Sequence, residues 1–190
     1  MLKVHSSKRQ KQQKTRNERT CFKTYEFALI ICRNSFQDSP DYGKWLAVNE
    51  SRGRGWWIPG GAVDYDEQFD EAAKRECLEE AGIEVNLKGV LKVDHGAEGD
   101  EARMRVIFYA EPTTLEMSTQ VKKVPDEESV EARWVTLDEL VELGEKPPGL
   151  RGSELLTWGK YLEDGGQAFP LAVFGREGET IKPTDKAYTI

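Results

Sequence analysis

Apolar and polar positions alternate in blocks whose period changes along the chain. From Thr24 the run "YEFALIICR" is apolar and branched, and "KWLAVNE" follows the turn-rich "NSFQDSPDYG"; both read as strands. A short "GWWIPGG" leads into a segment where Phe69, Ala72, Ala73 and Cys77 recur at i, i+3, i+4 and i+8, the stripe of a helix. Gly82 supplies its C-terminal stop. "IEVNLKGVLKV" and "RMRVIFYAE" read as strands separated by a charged loop, "DHGAEGDEA", which holds His95. "EARWVT" is a further short strand, and Thr136 to Glu139 has capping-box spacing ahead of a helix "LDELVEL". "PPG" breaks the chain, "SELLTWGKYLED" forms a last helix ending at Gly165, and an irregular segment is expected from about Gly175. Strands alternating with helices predict a mixed sheet with helices on its faces.

A chain of 190 residues with 38% hydrophobic content suits one domain with tails. The expected division is a basic, disordered tail over 1–20, a folded domain over 21–165 and an extension over 166–190. No stretch approaches the ~20 consecutive apolar residues of a membrane span, and no charged-then-apolar leader opens the chain. Cys21, Cys32 and Cys77 lack metal-ligand spacing, and their odd number does not suit a disulfide framework. A reduced compartment, cytoplasmic or nuclear, is expected.

The net charge of −7 hides an asymmetry. Residues 1–20 carry seven Lys/Arg and one acid, leaving 20 of the 27 basic and 33 of the 34 acidic residues to the body, a balance of −13. The basic tail is a candidate contact for RNA or an anionic surface, but nothing aromatic is interleaved to stack on bases. Simple solvation of the chain end is the plainer reading.

Glu76, Glu79 and Glu80 fall within an arc of roughly 100° on the helix. Carboxylate heads about 5 Å apart repel by roughly 3 kcal/mol per pair at an effective dielectric near 20. They also crowd the helix end where the backbone dipole disfavours negative charge. On these three residues alone, a solvated acidic face is the favoured explanation.

The flanking residues change that. Gly61, Glu67, Arg75, Glu76, Cys77, Glu79, Glu80, Gly82 and Ile83 fit Gly-x5-Glu-x7-Arg-Glu-U-x-Glu-Glu-x-Gly-U, where U is apolar. This is the Nudix box, and the chain resembles a Nudix hydrolase. A chance match somewhere in the chain is on the order of one in a million. Cys77 departs from the usual Ile, Leu or Val, a substitution cysteine makes as a small hydrophobe. "WWIPGG" and "EESVEARWVTLDEL" look like the usual flanks.

The resemblance implies an α/β/α sandwich around a mixed sheet, with the box forming a loop–helix–loop. It implies hydrolysis of a nucleotide or related diphosphate with Mg²⁺ or Mn²⁺, hard cations that prefer oxygen ligands. Glu76, Glu79 and Glu80 would be the carboxylate ligands and the Gly60 carbonyl a backbone ligand, with Glu67 and Arg75 an orienting pair. Glu128, in a loop with Glu127 and Glu131, is the candidate additional ligand or general base. Arg52 and Arg54 are candidates for phosphate binding. Trp57 or Trp56 could stack on a base, although alternation along a strand sends one of them to the core. Arg103 and Arg105 share one strand face, which either turns toward the cleft or, the plainer reading, forms a solvated edge. The alternative is a Nudix-fold binding module for RNA or a protein; such modules commonly lose box carboxylates, and all are present here.

Overall fold

A computed structural model describes residues 23–178, 180 and 188–189. The basic tail over 1–20, with any RNA contact it makes, lies outside the described residues.

Strands and helices follow in the order β1 (Lys23–Cys32), β2 (Trp45–Glu50), β3 (Gly55–Trp57), β4 (Gly60–Ala62), α1 (Phe69–Ala81), β5 (Val85–Glu98) and β6 (Glu101–Pro112). After them come β7 (Ser129–Val135), α2 (Leu137–Gly144), α3 (Glu154–Glu163), β8 (Gln167–Ala168) and β9 (Tyr188–Thr189). One sheet has the order β4-β1-β6-β5 and is mixed, because β1 and β6 run parallel while the outer pairs run antiparallel. A second, antiparallel sheet has the order β3-β2-β7.

The period-2 alternation of the strands divides the core in two. Ala28, Ile30 and Cys32 of β1, with Leu46 and Val48 of β2, pack against Ala72, Ala73, Cys77 and Ala81 of α1. Leu29, Ile31, Trp45 and Ala47 point the other way and pack against Leu140 of α2 and Leu155 and Leu162 of α3. The result is the expected α/β/α sandwich. Cys77 sits fully buried in the α1 layer, and burial pushes its thiol pKa up, as for a packing residue rather than a reactive one.

Two local expectations are corrected. "DHGAEGDEA" is no loop: β5 and β6 continue through it, pairing Asp94 with Arg105 and Glu98 with Glu101 around a turn at Gly99–Asp100, and His95 lies in β5 opposite Met104. The segment after Gly175 is not irregular throughout, since Tyr188–Thr189 pairs with Gln167–Ala168. Residues beyond Gly165 also enter the core: Ala168 is buried, and Phe169 exchanges two backbone hydrogen bonds with Val90.

Candidate active site

Helix α1 starts where the Gln68 N–H donates to Glu71, and its first turn carries Asp70 and Glu71, which suit the positive end of the dipole. It ends at Gly82, whose φ of 73° and N–H to the Leu78 carbonyl make the left-handed cap that glycine adopts without strain. The last turn is stapled from outside. Lys122 donates to the Glu79 carbonyl (2.8 Å) and the Ser129 hydroxyl to the Glu80 carbonyl (2.6 Å). A lysine ammonium at the negative helix end offsets part of what the three glutamates cost there.

Arg75 binds the box together. Its Nε and Nη2 donate to the two oxygens of Glu67 (2.8 and 2.9 Å), its Nη1 to Glu76 (2.8 Å) and Glu79 (3.1 Å), and its Nη2 also to the Ala62 carbonyl (3.0 Å). Glu67 in turn accepts the Asp64 N–H (3.0 Å). Glu67 and Arg75 thus form a bidentate pair that ties the β4–α1 loop to the helix.

Glu76 and Glu80 are buried and face a pocket of about 260 Å³. Glu80 accepts the Gly60 N–H (2.9 Å). A side chain on Gly61 would run into the Glu76 carboxylate, so the glycine keeps that oxygen accessible. Burial raises the pKa of Glu76 and pushes that of Glu80 up to about 8, with the charges of Glu76, Glu50 and Glu128 adding to the effect on Glu80. Glu79 differs: it is exposed and lies on Arg75 at the edge of the site.

The pocket also takes in Gly60, Arg54, Trp57 and Glu128. Glu128 is exposed, but its loop is stitched down: its N–H donates to Asp126, and Ser51 bonds the carbonyls of Glu127 and Glu128. Glu131 instead pairs with Arg133. Arg52 is exposed, has φ 61° and is not part of the lining. Both Trp56 and Trp57 are buried in one apolar cluster, because a three-residue strand is walled in on both sides. The Arg133 guanidinium lies over the first ring, and Trp57 spends its indole N–H on Glu154 (2.8 Å). Arg103 rims the pocket over the Phe27 ring, while Arg105 pairs with Asp94 and Glu154 outside it. Two charged lining residues escaped the sequence reading: Glu50 and Arg151. They stand alone in the sequence, without a motif around them.

Among the described residues no group of three or more His, Cys, Asp or Glu side chains is placed to hold a metal ion by itself. The donor set nonetheless suits Mg²⁺, which uses one or two carboxylates and fills its shell with water and substrate phosphates.

The raised pKa of Glu80 makes a stability prediction. Between its ordinary value of 4.5 and about 8, the folded group keeps a proton that the unfolded one has lost. Its contribution is therefore full below 4.5 and is lost as pH rises through 8, at up to ~1.4 kcal/mol per pH unit. In chelator, denaturation midpoints of the wild type are expected to fall across this range faster than those of Glu80→Gln; parallel slopes would count against it.

A NUDIX domain family model matches residues 27–155. The chain is 31% identical over 116 residues to "Putative nudix hydrolase 1" of Caenorhabditis elegans, covering 61% of this chain and 30% of that protein. It is 33% identical over 110 residues to the human "8-oxo-dGDP phosphatase NUDT18", covering 58% and 30%. The chain thus spans under a third of the length of these two relatives. A solved NUDIX hydrolase from Nitrosomonas europaea superposes with a TM-score of 0.61 at 21% identity, over 83% of this chain and all of that one. At that identity the superposition speaks for the fold. No helix among the described residues is long and apolar enough to cross a membrane.

Proposed function

The chain belongs to the Nudix family, and on that premise we propose that it is a divalent-cation-dependent hydrolase of a nucleoside diphosphate linked to a further group, or of a related diphosphate. The observation that carries the reading is one pocket in which buried carboxylates, Glu76 and Glu80, meet guanidinium groups, Arg54 among them. Carboxylates alone repel a diphosphate and guanidiniums alone repel a cation. A site with both accepts the pair.

Glu76, Glu79 and Glu80, with the Gly60 carbonyl, would hold Mg²⁺ or Mn²⁺. When bound, the cation neutralises charge on the diphosphate oxygens and acidifies water. Arg75 and Glu67 keep the ligand helix and the loop before it in register. Glu128 reaches both pocket and solvent, which suits a group that takes the proton from the water attacking phosphorus. Arg54 provides a planar fork for phosphate, and Arg52, just outside the lining, serves a substrate longer than the pocket. Trp57 contributes a ring to the pocket wall.

The experiment joins binding to chemistry. Mg²⁺ or Mn²⁺ at about 100 times its dissociation constant is expected to add roughly 2.7 kcal/mol of stability, reversed by chelation. The same samples should cleave members of a diphosphate panel and, in ¹⁸O-labelled water, place solvent oxygen in one phosphate product. Metal-dependent stabilisation without cleavage of any panel member would favour a binding module, as would the absence of both.

A further inference from the structure

Glu50 and Arg151, separated by 101 residues, meet at the wall of the same pocket. Glu50 closes β2 and is 2% exposed. Its Oε1 accepts a hydrogen bond from Arg151 Nη1. Among the described residues its Oε2 has no hydrogen-bond partner, the Arg54 guanidinium standing 3.9 Å away.

Arg151 is fixed from three directions. Its backbone N–H donates to the Trp56 carbonyl (2.9 Å) and the Trp56 N–H donates to the Gly149 carbonyl (2.8 Å), so the loop after α2 lies along β3 like an added strand. Its guanidinium stacks 4.2 Å from the centre of the Trp57 ring, which Glu154 locks through the indole N–H. Glu50 takes one nitrogen. Among the described residues no other acceptor bonds the guanidinium. The Arg151 side chain is 37% exposed and lines the pocket beside Glu76, Glu80 and Gly60, so the rest of its fork is accessible to a ligand entering there.

We propose that Arg151 grips a phosphate of the diphosphate substrate, and that Glu50 and Trp57 are positioning residues holding its guanidinium plane at the pocket. The inference rests on the hydrolase reading above and extends it to a residue far outside the box. The ligand chemistry is that of a phosphate oxygen pair, which a planar guanidinium meets with two parallel hydrogen bonds. Stacking and the Glu50 bond restrict the side chain before substrate arrives, so less rotamer freedom is lost on binding.

The test uses the full chain, a panel diphosphate that the wild type cleaves, and methylenebisphosphonate as an uncleavable probe with Mg²⁺. Arg151→Met is expected to raise KM and weaken the probe's Kd by about tenfold or more while kcat stays within about threefold, the signature of lost ground-state binding. Arg151→Lys keeps the charge but not the fork and should fall between. Glu50→Gln, whose amide oxygen still accepts from Arg151, should keep KM within about threefold, whereas Glu50→Ala should follow Arg151→Met. Where Arg151→Met unfolds because Glu50 is left buried and unpaired, the Glu50→Gln/Arg151→Met double variant removes both charges and is read instead. A folded variant lacking Arg151 that binds the probe and substrate as the wild type does would overturn this inference alone. A wild type that neither cleaves the panel nor binds the probe would overturn the hydrolase reading with it.

Discussion

Glu80→Gln is expected to lower kcat by about 100- to 1000-fold, the loss seen when one well-placed electrostatic group is removed from an active site. The metal-free protein should melt at the same temperature or higher. Glu80 is 6% exposed and accepts the Gly60 N–H at 2.9 Å. Glutamine has the same shape and keeps an acceptor for that N–H. What it removes is an ionisable charge, which the empty site disfavours because burial and neighbouring carboxylates push the pKa up to about 8, so that stability is lost as pH rises toward that value. The same charge offsets the cation when one is bound. Stability and activity should therefore move in opposite directions, and the metal-induced rise in melting temperature should largely disappear. Glu79→Gln tests the exposed member of the trio: its proposed ligand role predicts a large loss of turnover as well, although among the described residues its only side-chain hydrogen bond comes from Arg75. Steady-state kinetics at limiting Mg²⁺, beside thermal melts with and without chelator, checks both. Near-native turnover in either variant would remove that residue from the proposed ligand set.

Arg75→Ala is expected to cost about 2–4 kcal/mol of stability at pH 7. The loss leaves Glu67 and Glu76, mostly buried, with no cation, and it frees the Ala62 carbonyl. Arg75 itself is 27% exposed, so solvent screening holds the figure below that of a fully buried pair. Arg75→Lys should recover only part, because one ammonium cannot reproduce the two parallel bonds to Glu67 together with those to Glu76 and Glu79. The pH dependence has a definite sign. The Arg75 hydrogen bond holds the Glu67 pKa below 4.5, so that contribution is full above the unfolded value and lost as pH falls through the folded one. The gap between wild type and Arg75→Ala should thus be widest near neutrality and shrink in acid. Urea titrations at pH 7 and near pH 3 measure it; a gap of equal size at both would show that Arg75 acts by packing rather than by charge.

What the sequence determined is what depends on near neighbours. The α1 stripe of Phe69, Ala72, Ala73 and Cys77, the stop at Gly82 and the Thr136–Glu139 capping box all appear in the structure, the last with reciprocal bonds of 3.1 and 2.7 Å. Each is a matter of residues within two helical turns, where spacing alone sets who meets whom. The outer part of the β5–β6 hairpin escaped notice because most of its residues beyond Val93 are exposed, so burial imposes no alternation for a pattern to reveal. Its strands are specified by pairing, which composition does not record.

The box residues were legible because their spacing is fixed within one loop and one helix. The rest of the pocket was decided by the tertiary structure. Lys122 reaches the end of α1 across 43 residues, and Arg151 reaches Glu50 across 101. Arg103 faces the pocket while Arg105, two residues on along β6, goes to Asp94 and Glu154, so sharing a strand face did not give them one role. Trp56 and Trp57 share one apolar cluster despite their alternation, because the loop after α2 and the Arg133 side chain enclose a strand of three residues. A lone charged residue carries no local information about its partner. That partner is chosen by which strands pair and which loops fold back on them, and burial then makes the pairing obligatory, because an unpaired charge in the core costs far more than a paired one.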